Sequence, residues 1–133
     1  MISVELAREL ARYLSWEPKV GDLTIVYGEA GEEIIEPIIP RHEKEKKIVL
    51  SLREVGDLVW LPRLARLLYE LKIRAVRGFT LEYNKDNDSW CYRDDNIETC
   101  AGTPEDVAAQ ALLQMFRRAE KQPEQPPAGQ NQP

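Results

Sequence analysis

The sequence predicts an α+β domain, a small antiparallel or mixed sheet with three amphipathic helices packed on it. Three observations carry this. Apolar residues recur at helical spacing in three segments. In others they alternate with period two. The strand-like runs are grouped between helices, which argues against a doubly wound parallel sheet.

The first helix is expected from a Ser3 cap to about Leu14, with Ala7, Leu10, Ala11 and Leu14 on one face and Trp16 and Pro18 ending it. Leu23 to Tyr27 and Ile34 to Ile39 are β-rich around the turn Gly28-Glu29-Ala30-Gly31, which reads as a hairpin. Pro37 cannot donate a ladder bond, so the second strand is expected to be an edge or to be broken there. Arg41 to Lys47 reads as a charged loop and Ile48 to Leu52 as a short strand, broken by Gly56-Asp57. Trp60-Leu61-Pro62 then opens a second helix, with Pro62 in its first turn and an end near Lys72.

Phe79, Leu81 and Tyr83, and again Trp90 and Tyr92, alternate with smaller or polar residues. The expected register sets Tyr83 opposite Asp88, Leu81 opposite Trp90 and Phe79 opposite Tyr92, gathering the large groups on one face. A third strand is expected from Ile97 to Ala101. Thr103-Pro104-Glu105-Asp106 is a strong helix start: Thr103 as N-cap, Pro104 at the first helical position, Asp106 reaching back as in a capping box. That helix fades near Glu120. The globular domain is therefore 1–121, and the Pro- and Gln-rich stretch 122–133 is expected to be disordered.

Apolar residues make up 43% and charged residues 31%, enough for a core without metals or disulfides. Lys and Arg number 18 against 23 Asp and Glu, a formal charge of −5. Phosphate backbones require positive potential, so a nucleic-acid partner is disfavoured. No apolar run approaches the roughly 20 residues that span a bilayer. The charged N-terminal residues do not read as a signal peptide, so the expectation is a cytoplasmic protein with reduced thiols at Cys91 and Cys100.

Three features of the C-terminal half resemble small proteins of bacterial phages and prophages. They are Trp60-Leu61-Pro62-Arg63-Leu64 with its Leu-rich helix, the aromatic strand around Trp90, and the run Thr-Pro-Glu-Asp-Val-Ala-Ala-Gln-Ala-Leu-Leu at 103–113. Among such proteins is a phage domain described as an α-β-α sandwich. The resemblance covers roughly Val59 to Arg118 and leaves out the first hairpin and the charged loop. It implies a phage-type accessory protein and brings no catalytic residue with it.

No catalytic constellation stands out. His42, the single histidine, sits in a charged segment without a positioned partner, and its plain reading is a surface side chain. Cys91 and Cys100 lack the paired ligands of a zinc site and read as small buried groups, though on adjacent strands they could bond. No cofactor is called for. Asp86, Asp88, Asp94 and Asp95, with Glu98, are the candidate metal ligands, but neither register from Asn84 or Asp86 satisfies a calcium loop, and Asp-rich turns form for backbone reasons alone. Trp16, Trp60 and Trp90 are core anchors first and interface anchors second. Arg63, Arg66, Arg74 and Arg77, with Lys72 and beside Trp60, are the candidate docking patch, weighed against the solvated side of an amphipathic helix. The leading expectation is a non-enzymatic module that binds another protein or itself. The alternative is a small-ligand-binding protein or metal-assisted hydrolase built on the acidic hairpin. Nucleic-acid binding through the arginines ranks last.

Overall fold

A computed structural model describes residues 1–121, and the expected disordered tail from Gln122 lies outside them. The elements run α1 (Val4–Leu10), β1 (Leu23–Tyr27), β2 (Glu33–Pro37), α2 (Glu43–Glu54), β3 (Leu58–Trp60), α3 (Leu64–Arg74), β4 (Thr80–Asn84), β5 (Ser89–Arg93), β6 (Glu98–Ala101) and α4 (Pro104–Lys121). The class is α+β. The described residues hold four helices rather than three, and two separate antiparallel sheets rather than one, in the orders β2-β1-β3 and β4-β5-β6.

The fourth helix is α2, which corrects the reading of a charged loop followed by a strand. Glu, Lys, Leu and Arg are good helix formers. Lys46 pairs with Glu43 one turn back at 3.3 Å, and the Glu45 carboxylate accepts the Arg41 amide at 2.5 Å. Ile48, Leu50 and Leu52 are too few to separate period two from period 3.6. The helix stops at Gly56, whose φ of +86° costs a glycine little. The Gly56 amide donates to the Arg53 carbonyl and the Asp57 amide to that of Leu52, a Schellman close.

β3 is the element the sequence hid. Trp60 pairs with Thr24, Val59 with Ile25 and Leu58 with Val26, and the Leu61 amide extends the ladder to the Leu23 carbonyl. Trp60 and Leu61 therefore belong to a strand end, not to a helix start, and Pro62 precedes α3 instead of lying in its first turn. β2 is an edge strand that ends at Pro37, as that residue's missing N–H requires. α1 is shorter than expected. Its last turn tightens, with Tyr13 donating to Leu10, and the Arg53 guanidinium takes the Leu14 carbonyl at 2.9 Å.

In the second sheet the register slides by two residues from the expected one. Leu81 pairs with Tyr92 and Tyr83 with Trp90, because the hairpin loop is Lys85–Asp88, with Asp88 at φ +48°. A slide of two keeps every side chain on its face. The aromatic face survives, with Phe79 stacked on Tyr92 and Tyr83 tilted on Trp90. Cys91 and Cys100 stand directly opposite each other in β5 and β6, 4.1 Å apart at Cα, and are joined by a disulfide. That corrects the reading of two reduced, buried thiols: Cys91 is half-buried, Cys100 is exposed, and the pair lies on the face away from the core.

α4 is the hub. It packs on α1, α3, β5 and β6 and buries Val107, Ala108, Ala109, Ala111, Leu112 and Leu113. Thr103 caps it, accepting the Asp106 amide at 3.1 Å. Asp106 does not close a capping box; its carboxylate takes the Ser3 amide at 2.7 Å and so ties the starts of α1 and α4 together. The buried apolar side chains of both sheets and of α1, α3 and α4 form one cluster.

Candidate functional site

Most side chains of the docking patch expected around Trp60 make contacts within the chain. Trp60 is 7% exposed and stacks on Trp16 at 5.4 Å. Arg66 lies over the Trp60 ring and binds Glu70 at 3.0 Å and the Ser15 carbonyl. Arg74 also binds Glu70, a carboxylate that is itself buried, and Arg63 donates to the Gly21 carbonyl. These side chains hold α3 to its neighbours. Arg77, by contrast, is exposed, 3.7 Å from Asp95.

The acidic residues are likewise divided among local tasks. Asp88 accepts the Tyr83 hydroxyl, and Asp86 donates its amide to Asn84 in the same turn. Asp94 accepts the Tyr92 hydroxyl and the amides of Asn96 and Ile97, which shapes the β5–β6 turn. Burial pushes the Asp94 carboxyl up, but those three donors and the Arg118 charge outweigh it and hold its pKa below the ordinary value. Burial, then the Asp94 contact, pushes the Tyr92 hydroxyl far up. Glu98 pairs with Arg93. Among the described residues no three His, Cys, Asp or Glu side chains converge as a metal ion needs. The structure does bring four of the nine candidates together: Arg74, Arg77, Asp94 and Asp95 line one cleft of about 540 Å³ beside Arg118. Its charges are mixed and largely cancel.

The surface the sequence did not single out is α2. None of its residues is buried. Glu45, Val49 and Arg53, at four-residue steps, form its half-buried stripe. Arg53 anchors it. Its guanidinium lies over both Trp16 and Trp60 and donates to the Leu14 carbonyl, while its Nε is buried without a partner. Burial first, and Arg66 second, lower its pKa. On the adjacent face Ile48, Leu52 and Val55 meet solvent at 51%, 38% and 71% exposure. A groove of about 440 Å³ runs along one flank, between Ile38, Ile39 and Pro40 and the helix residues Ile48 and Val49. A cleft of about 410 Å³ runs along the other, lined by Arg8, Arg12, Arg53 and Glu54 over Leu50, Leu58 and Val59. The spacing of 48, 52 and 55 is the available signal, and the strand-like alternation of Ile48, Leu50 and Leu52 masks it.

No protein-family model matches the chain, and no curated protein or solved structure matches it either.

Proposed function

We propose that the chain is a non-enzymatic protein-interaction module, an accessory protein of the phage type its C-terminal half resembles, acting in the cytoplasm and docking a protein chain on the outer face of α2. The observation that carries this is a twelve-residue helix that buries none of its residues and turns Ile48, Leu52 and Val55 to solvent. Monomeric soluble proteins rarely leave contiguous apolar patches of this kind uncovered. Such a stripe, at spacings of four and three, is how a helix presents itself to a groove or to another helix. The flanking clefts add Ile39 on one side and the cations Arg8 and Arg12 on the other. No second reading has an observation behind it: of the carboxylates named for a hydrolase, Asp88, Asp94, Asp95 and Glu98 are engaged in turns and ion pairs.

The test is capture of partners by the tagged full chain from a lysate of its own host, with the wild type beside Leu52→Glu. A stoichiometric partner that the variant loses at least tenfold supports the reading. Partners held equally by both proteins place the docking surface elsewhere, and turnover of a substrate by the pure protein overturns it.

A further inference from the structure

We infer that the chain covering α2 is a second copy of this protein, its α2 packed antiparallel across a two-fold axis. The inference rests on the docking face proposed above and adds its occupant. The argument is the order of charges. On the inner stripe the charges follow the helix dipole, with Glu45 in the first turn and Arg53 in the last. On the outer side, apart from Glu43, which is paired with Lys46, they oppose it. Lys44 and Lys47 lie in the first half, and Glu54 in the last turn, with Asp57 just beyond. All four are exposed, and none makes an ion pair among the described residues. Within one copy this order is unfavourable.

Across an antiparallel pair it becomes complementary. Lys47 and Glu54 are seven residues apart, two turns, and so share one flank of the apolar stripe. In a two-fold antiparallel pairing each flank meets the same flank of the other copy. Lys47 of each copy then faces Glu54 of the other, and each Lys44 approaches the opposing Asp57. The basic half of one helix lies at the negative end of the other. The same arrangement sets Ile48 against Val55 and Leu52 near its own symmetry mate, so one patch covers itself, as an isologous interface must. A foreign partner has no reason to match this order; a second copy matches it by symmetry.

Analytical ultracentrifugation of the full chain over a wide concentration range decides it. The expected wild-type particle has twice the 15.3 kDa chain mass. Leu52→Glu is expected to sediment as a monomer with an unchanged circular dichroism spectrum. Lys47→Glu and Glu54→Lys are each expected to weaken association at least tenfold, and the double reversal Lys47→Glu/Glu54→Lys to restore it. A wild type that stays monomeric overturns the inference, as does a dimer indifferent to Leu52→Glu or a double reversal that fails to rescue. The docking face is judged separately. A monomer that captures a foreign protein through Leu52 overturns the second copy alone, whereas a monomer whose captures ignore Leu52 overturns both.

Discussion

α4 and α2 are both amphipathic helices, and they treat their apolar faces in opposite ways. α4 turns Val107, Ala108, Ala111 and Leu112 into the core and is closed at its start by Thr103. α2 has no side-chain cap at His42 and turns Ile48, Leu52 and Val55 outward. It is held chiefly through Arg53, a cation threaded onto two tryptophans. One helix completes the domain's own core. The other carries apolar area that this chain does not cover. Apolar spacing alone does not say where a face points, even though α2, with four apolar residues in twelve, is poorer in them than α4, with nine in eighteen.

The largest effect that sharpens this contrast comes from truncating matched leucines. Leu112 is fully buried at the centre of the cluster, so Leu112→Ala removes packing and leaves a cavity. The expected loss is about 3 kcal/mol, within the usual range for buried leucine. Leu52→Ala, at 38% exposure, is expected to change the stability of the dilute monomer by less than about 0.5 kcal/mol. Urea denaturation of both variants checks this. Equal losses would mean that α2 belongs to the core after all.

The same contrast explains what could be read from sequence. The C-terminal half was legible because its signals are local and agree. Phe79, Leu81, Trp90 and Tyr92 alternate, and Thr103-Pro104 marks a helix start that the structure reproduces. Even the register error there was harmless, since a slide of two preserves the faces. The N-terminal half was less legible because its logic is tertiary. β3 is three residues long and defined only by its pairing with β1. α2 has an outward apolar stripe, and pattern reading assumes that such stripes point in. The contacts of the candidate arginines were hidden for a related reason: a cationic face on α3 looks the same in sequence whether it meets solvent or, as with Arg66 and Arg74, a buried Glu70.

A second difference is covalent. The sheet β4-β5-β6 carries the Cys91–Cys100 bridge on its outer face, and β2-β1-β3 has none. Closing a loop with a sequence separation of 9 limits the unfolded chain, worth about 2 to 3 kcal/mol in the chain-entropy account. Cys100 is exposed, so a dithiol reaches the bridge without unfolding the domain. Reduction is expected to lower Tm by roughly 10 °C. The ladder and the buried Tyr92 remain, and the fold with them. Calorimetry with and without dithiothreitol, with Cys91→Ala/Cys100→Ala as the reference, measures the effect. A shift under ~2 °C would show that the bridge constrains nothing the ladder does not already hold.

The smallest expected effect is at the β5–β6 turn. Asp94 accepts three hydrogen bonds there, whereas Glu32 in the β1–β2 turn accepts one, from the Ala30 amide. In the folded chain Asp94 titrates below its ordinary value of 3.8, so its charged form is favoured by folding. Its stabilisation is therefore fully present above pH 3.8 and is lost as pH falls from there through the lower folded value. Asp94→Asn keeps an acceptor for the Asn96 and Ile97 amides but loses the charge. It is expected to cost about 1 kcal/mol at neutral pH, the difference between charged and neutral hydrogen bonds. The gap from wild type should narrow below pH 3.8, as the native carboxyl takes up its proton. Amide exchange at Asn96 and Ile97 locates the effect, because those two amides lose protection as the Asp94 charge is lost on acidification. If the gap between Asp94→Asn and wild type stays constant through the acid range, the turn is held by its shape and not by the charge of Asp94.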